Sequence, residues 1–596
     1  MNRFFSPRRQ AGRLALAIGL GALLASSTTG WAAKPPAGPA ADETFGVQGP
    51  VSAVQKVARP TPSERMGVAL GSVPEVRLQA VDKDAILKED ALSQRQGLVK
   101  TLRFGVGRDV QISAGDGNWY DLAGGSRLWV ADVASTDALG LRLHFKNVQL
   151  PAGAELAVYA PDGAAPGVAR NGNPRFDPER KVEFHSSAAA STEFWTGSFF
   201  GERARIEYLA PTGAPAGALP FTVDSLQHFY LDPVDKVARS LVKAAGSCEN
   251  DVTCFPEWAN VSHAVAGIDF VDSGGSFFCS GQLLNDTTQD FTPFFLTANH
   301  CISSQSAAAS TEFFWFYQTS TCNGNPPSVD SVPTSDGATL VSTSPVSDYT
   351  LMIVDGALPD GLFWAGWTGK AVPVGTDAVA VHHPAADFKR ISFGFNDDKS
   401  ACYEFQGTNG LQLLRTTWTD GVTEGGSSGS GIYRADTQQL YGQLFFGPSS
   451  CDADAADRFD CYGSFFSTYT KIRKTLVAGS DDNSEQNDTC AKARVVRAGS
   501  LNNRIVKVND TDWYRILLPA HKTATVTLNF ANSNGDIDLA GFNNCSSSTP
   551  VASSTGNGDS ETIALPNNGS RPAYVYWHVY LASSTRNTYN MSVSVH

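Results

Sequence analysis

The heptapeptide Gly425-Gly426-Ser427-Ser428-Gly429-Ser430-Gly431 decides how the rest of this chain is read. A Gly/Ser run is ordinarily a flexible linker. This one is flanked by Trp418, Val422 and Glu424 on one side and Ile432-Tyr433 on the other, so it sits inside folded, strand-rich sequence. Small residues around one serine suit a backbone that turns tightly and aims its N–H groups at a substrate carbonyl. On that reading Ser428 is a nucleophile, and the chain must also supply a base and a carboxylate.

Upstream, Phe295-Leu296-Thr297-Ala298-Asn299-His300-Cys301 delivers a histidine at the end of an apolar strand. Ser347-Asp348-Tyr349-Thr350-Leu351-Met352-Ile353 places a charge just before a buried one. Alone, such a histidine is usually structural and such an aspartate a turn residue. Together they meet a chemical need. Serine attacks only when a base takes its proton, histidine is that base near neutral pH, and a buried carboxylate fixes its tautomer. The order His300, Asp348, Ser428 is one of the known chain orders for this chemistry. The backbone N–H groups of Gly426 and Ser428 would then form an oxyanion hole.

At 596 residues the chain is too long for one core. A net charge of −13 with no basic face argues against nucleic acid as a partner. Arg3, Arg8, Arg9 and Arg13, then the apolar run Leu14 to Ala25 and small residues at Gly30 and Ala32, read as a secretory signal over residues 1–32. That run is too short for a permanent anchor, so the mature protein is expected to be exported, with no membrane attachment. The ten cysteines agree, since an even count in an exported chain reads as disulfides. None precedes Cys248, which marks the first domain boundary.

Residues 33 to about 60 are rich in Ala, Pro and Gly and are expected to be poorly ordered. From Thr101 the pattern alternates, as in Leu141 to Phe145, Leu156 to Tyr159 and Ala204 to Leu209, predicting an antiparallel sandwich to about residue 230. It holds no catalytic cluster and reads as a pro-domain, or else as a binding module. Residues 226–243 read as a connector. The central region repeats strand candidates at Phe294 to Thr297, Phe313 to Tyr317, Thr350 to Val354 and Gln443 to Phe446, with almost no long helical period, so it is predicted all-β. A polar linker over 477–486 precedes a further β-patterned piece over 487–596, in which Cys490 and Cys545 pair if it folds alone.

Thr297-Ala298-Asn299-His300-Cys301 resembles the Thr-Ala-Ala-His-Cys motif of chymotrypsin-like serine proteases, and Gly426-Ser427-Ser428-Gly429-Ser430 their Gly-Asp-Ser-Gly-Gly. More closely, the region 244–476 resembles the bacterial lysyl endopeptidases. The matching stretches include Phe363-Trp364-Ala365-Gly366-Trp367, His382-His383-Pro384, Lys389-Arg390-Ile391-Ser392, Gly421-Val422-Thr423-Glu424 and Gly447-Pro448-Ser449-Ser450-Cys451. The resemblance implies two six-stranded β-barrels, His300, Asp348 and Ser428 as a triad, and bridges Cys248–Cys451, Cys254–Cys322 and Cys279–Cys301. Cys402 and Cys461 are left to pair with each other. It further implies that Asp460 selects a basic side chain, the alternative being one loop acid among Asp452, Asp454 and Asp457. Tyr403 falls where the family carries a tryptophan beside the substrate, and Phe445 where it carries a histidine. Ser427 replaces the aspartate that pairs with the new N-terminus in the animal enzymes, so that switch is absent. The pair His382-His383 lacks an accompanying metal-ligand pattern and is given a structural role.

An enzyme of this kind would cut its own precursor at Lys243–Ala244, releasing the pro-region 33–243. Protein or peptide substrates and its own pro-domain are its expected partners, and it is expected to act as a monomer without a catalytic cofactor. Residues 487–596 resemble the bacterial pre-peptidase C-terminal domain, a small β-sandwich. There Asp510, Asp512, Asp536 and Asp538 are either calcium ligands or turn residues. The alternatives for the whole chain are a protease of different P1 specificity and a protease-like protein that only binds.

Overall fold

Apolar runs of four to eight residues bounded by turns pair best when both faces are buried, and the central region solves this by closing sheets into barrels. The computed structural model describes residues 42–50, 60–96, 101–161, 182–186, 192–215, 217–231, 245–289, 291–403, 410–477, 487–507, 511–547, 549–582 and 586–596. The signal segment 1–32, residues 478–486 of the linker, Lys243, Ala244 and Asp510 lie outside them.

The first barrel comprises β1 (Val265–Asp272), β2 (Gly275–Leu284), β3 (Phe294–Ala298), β4 (Glu312–Phe314), β5 (Thr334–Asp336, continuing through Gly337 into Ala338–Ser344) and β6 (Tyr349–Val354). β4 pairs with β1, β1 with β2, β2 with β3, β3 with β6, and β6 with β5, whose first half returns to β4 and closes the ring. The second barrel comprises β7 (Asp377–His382), β8 (Arg390–Asp397), β9 (Leu413–Asp420), β10 (Gly431–Arg434), β11 (Leu440–Phe446) and β12 (Phe459–Ser464). It closes in the order β7, β8, β9, β12, β11, β10.

A helix, α1 (Phe465–Leu476), follows β12. Phe465, Thr468, Tyr469, Ile472 and Leu476 recur at helical spacing and are buried against Trp367 and the core between the barrels. The all-β reading missed it because one short amphipathic turn set is diluted by Thr and Lys. The expected strand Phe313 to Tyr317 ends at Phe314. Phe316 takes a left-handed φ of 55°, although Trp315 and Tyr317 remain buried.

Upstream, a sandwich is built from a sheet containing Arg127–Ser135, Arg203–Ala210 and Glu155–Tyr159, facing a sheet containing Gly140–Lys146, Thr222–Phe229 and Leu102–Ile112. Trp129, Phe145, Tyr208 and Phe221 fill its core. Residues 226–229, expected in the connector, belong to Thr222–Phe229 instead, because all four are buried, Leu226 in that core and Phe229 in a cluster with Phe104 and Phe278. Leu102–Ile112 also pairs with β2, Leu102 opposite Phe278 and Val106 opposite Gly275, so one sheet of the sandwich runs on into the first barrel.

The seam between them is sealed by charge. Arg142, 1% exposed, donates to the Asp269 carboxylate and to the carbonyl oxygens of Thr196 and Ser310. Ser198 donates through its hydroxyl to Asp269 at 3.0 Å and through its backbone N–H to Glu312 at 2.8 Å. Breaking a buried pair strands the remaining charge. Arg142→Ala is expected to cost the full-length precursor about 3–5 kcal/mol. Arg142→Met with Asp269→Leu should cost less than the single change. Denaturant midpoints compare the two.

Residues 42–50, expected to be poorly ordered, form an extended strap. Thr44 pairs with Trp367 and Val47 with Trp364, while Asn285 Nδ2 donates to Phe45 O and Gln439 Nε2 to Thr44 O. The strap has few apolar residues, so its order comes from strand addition to a partner rather than from its own pattern. The described residues between 487 and 596 form a two-sheet sandwich around Trp577, Tyr514 and Leu528. No helix among the described residues is long and apolar enough to cross a membrane.

Candidate active site

β3 and β6 are neighbours, with Ala298 opposite Tyr349. Their pairing brings the end of one strand beside the start of the other, so His300 and Asp348 meet although 48 residues separate them. Asp348 takes a left-handed φ of 49° in the turn before β6, a strained conformation for a non-glycine residue. Its carboxylate accepts from His300 Nδ1 at 2.8 Å and from the His300 backbone N–H at 2.9 Å. Burial raises the Asp348 carboxyl above the usual aspartate range, while the His300 charge and hydrogen bonds pull the other way.

Ser428 arrives from the second barrel, on the loop between β9 and β10. Its Oγ lies 2.8 Å from His300 Nε2. The loop is stitched to the first barrel by Ser280, which donates through its N–H to Ser428 O at 2.8 Å and through its hydroxyl to Gly426 O at 2.9 Å. Among the described residues the backbone N–H groups of Gly426 and Ser428 have no acceptor. Gly426 has φ 93°, and a Cβ there would fall 2.8 Å from His383 O, so only glycine fits. The arrangement places a proton acceptor beside a hydroxyl and leaves two amide donors free for an incoming oxyanion.

Asp460 is the second residue of β12 and is fully buried. Its Oδ2 accepts from Trp418 Nε1 at 2.6 Å, Thr423 Oγ1 at 2.8 Å and Ser449 Oγ at 2.5 Å. Its Oδ1 faces Gly447, where a Cβ would lie 2.1 Å away. One oxygen is thus locked by three donors at the foot of the Ser428 loop, and Gly447 packs so closely against the other that no larger residue fits there. Thr423 and Ser449 carry no recognisable signal in sequence beyond membership of matched stretches, and Trp418 none beyond flanking the heptapeptide. The Phe445 ring lies 5.4 Å from that of His300 and packs edge-on against Phe446. Tyr403 donates to Leu411 O at 3.2 Å and shares a cluster with Phe445, Phe459 and the Cys402–Cys461 bridge. The other bridges join Cys248 to Cys451, Cys254 to Cys322, Cys279 to Cys301 beside His300, and Cys490 to Cys545 in the C-terminal sandwich.

Burial, and then the neighbouring Asp536 charge, raise the Asp538 carboxyl above the usual aspartate range. Asp512 is satisfied by Tyr589 and Asn487, and among the described residues Asp536 and Asp538 join no group of three metal-type ligands.

His383 stacks on Tyr317, and its Nδ1 donates to Asp387 O at 2.9 Å. Burial, aided by the nearby Lys389 charge, lowers its imidazole to about 3. Lys389, donating to Ser262 O at 2.6 Å, is lowered by burial to about 7. Their ordinary values are 6.5 and 10.5, so between each pair of values the unfolded chain binds more protons than the folded one. Stability is therefore expected to fall as pH drops from 6.5 towards 3, through His383, and to rise as pH increases from 7 to 10.5, through Lys389. Unfolding midpoints across pH check this. His383→Gln should flatten the acid limb and Lys389→Met the alkaline one.

Two closed six-stranded barrels, with a serine, a histidine and an aspartate meeting between them, define the chymotrypsin-like class of fold. Residues 242–463 match the description "Lysyl endopeptidase, C-terminal domain" and residues 77–230 "Lysyl endopeptidase N-terminal domain", together more than half of the chain. The chain belongs to the lysyl endopeptidase family. A lysyl endopeptidase of Pseudomonas aeruginosa is 31% identical over 294 residues, which span 47% of this chain and 63% of that relative. Secreted RxLR effector protein 73 of Plasmopara viticola is 29% identical over 224 residues, spanning 36% of this chain and 52% of its own. Similar solved structures include a scabies mite inactivated protease paralogue, 15% identical with a TM-score of 0.29, covering 39% of this chain and 99% of that one. Another is the thermostable serine protease AL20 of an extremophilic microorganism, 16% identical with a TM-score of 0.25, covering 36% and 95%. At such scores the fold is defined by the strand pairings alone.

Proposed function

We propose that the chain is the precursor of a serine endopeptidase that cleaves after lysine, with arginine as the nearest competitor. The observation that carries this reading is the aligned row from Asp348 through His300 to Ser428 Oγ, with Asp460 locked at the foot of the same loop. Ser428 Oγ attacks the scissile carbonyl as His300 Nε2 takes its proton. The oxyanion is received by the N–H groups of Gly426 and Ser428. His300 returns the proton to the leaving amine, and water hydrolyses the acyl-enzyme by the same steps. Asp348 keeps the imidazole in the Nδ1–H tautomer. A lysine ammonium would pair with Asp460, and an apolar side chain would leave that carboxylate unpaired. Phe445 and Tyr403 would border the bound peptide.

Residues 1–32 would direct export, and cleavage at Lys243–Ala244 would separate the pro-region from a monomeric protease acting on proteins and peptides. A fluorophosphonate probe should label the processed protein and not Ser428→Ala. A processed wild type that stays unlabelled would leave only a binding role.

A further inference from the structure

Ser427 lies in the middle of the heptapeptide's turn, and its side chain is fully buried. It lies 2.8 Å from Nδ1 of His382, at the end of β7. The other ring nitrogen, Nε2, is 3.1 Å from Ser392 Oγ and 3.8 Å from a Glu249 carboxylate oxygen. Ser392 donates its only proton to Val422 O at 2.7 Å, so at the Nε2 contact Ser392 must accept. Nε2 therefore carries a hydrogen, and Ser427, whose oxygen already takes up a backbone N–H, gives its own proton to the Nδ1 lone pair. Ser427 Oγ in turn accepts from the Glu424 backbone N–H at 3.2 Å. The chain of hydrogen bonds from Val422 O to Glu424 N–H closes on itself through one imidazole.

Ser427 sits between Gly426 and Ser428, whose amides are the two free donors. Pinning its side chain fixes the direction of both. The Glu424 carboxylate also accepts from Gly246 N–H at 2.9 Å, tying the loop to the segment just after the proposed cut.

We propose that His382 and Ser427 form a strut that holds the oxyanion loop in its catalytic shape, making His382 a positioning residue. This rests on the endopeptidase reading above. In processed full chain, Ser427→Ala and His382→Leu should lower kcat about ten- to a hundredfold, less than the loss of an oxyanion donor itself. KM should stay within about threefold, because the N–H groups act on the transition state. His382→Asn, whose side-chain oxygen can stand in for Nδ1, should recover most of the rate. Active-site titration corrects each rate for folded protein. A Ser427→Ala enzyme whose corrected kcat stays within about twofold of the wild type overturns the proposal, as does a His382→Asn no better than His382→Leu.

A second readout is independent of activity. In 15N-histidine NMR of the uncut Ser428→Ala precursor, His382 should be neutral with hydrogen on Nε2, and its Nδ1 signal should move when Ser427→Ala is added. A His382 carrying hydrogen on Nδ1 rules the strut out, whatever the chain's activity proves to be.

Discussion

Ser428→Ala should leave the precursor uncut and lower kcat/KM on a lysyl substrate by about a millionfold. The size follows from the geometry. With Oγ removed, His300 Nε2 has no hydroxyl to deprotonate, and only the two amide donors and the binding surfaces remain to act on a water-driven reaction. Residual catalysis from those donors, about 10³–10⁴ over water, is all that should survive. Substituting His300 as well should add little, because the two act as one unit. Processing is the more stringent readout. A Ser428→Ala precursor that is cut normally when purified alone would assign maturation to another protease.

The second large effect is expected at Asp460. Asp460→Asn keeps the volume beside Gly447 and removes the charge. Truncating one partner of a buried charge pair costs about 2–5 kcal/mol, so kcat/KM for lysine should fall roughly thirty- to several-thousandfold. Activity on a leucyl or phenylalanyl peptide should not fall with it, since the carboxylate penalises those side chains. The ratio between substrates is the quantity to measure. Trp418, Thr423 and Ser449 all donate to this carboxylate, so the substitution also disturbs a buried network. A purely structural Asp460 would lower the unfolding midpoint and leave the lysine-to-leucine ratio unchanged.

The three residues that meet between the barrels were legible in sequence because each lies at a strand end beside residue types with few other uses. An apolar strand delivers His300, another begins after Asp348, and glycines surround Ser428. The barrels were legible from the same apolar runs. What surrounds these groups was not. The Thr423 and Ser449 hydroxyls reach Asp460 from 37 and 11 residues away, and Ser427 meets His382 across 45, by residue types that populate every loop. The strap over residues 42–50 is polar enough to read as unstructured, because its partners Trp364 and Trp367 come from distant sequence. Arg142 looked like one polar position in an alternating strand. Its burial follows from the joining of the sandwich to β2, which no local pattern encodes.

The central claim is that Ser428, His300 and Asp348 hydrolyse peptide bonds chosen by Asp460. N-terminal sequencing of the processed protein, together with mapping of its cuts in a denatured protein substrate, tests this most directly. The account predicts a mature chain beginning at Ala244 and cuts confined to bonds after lysine, with arginine a minor site. Cuts after acidic or apolar residues, or a substrate left whole by processed protein, would contradict it.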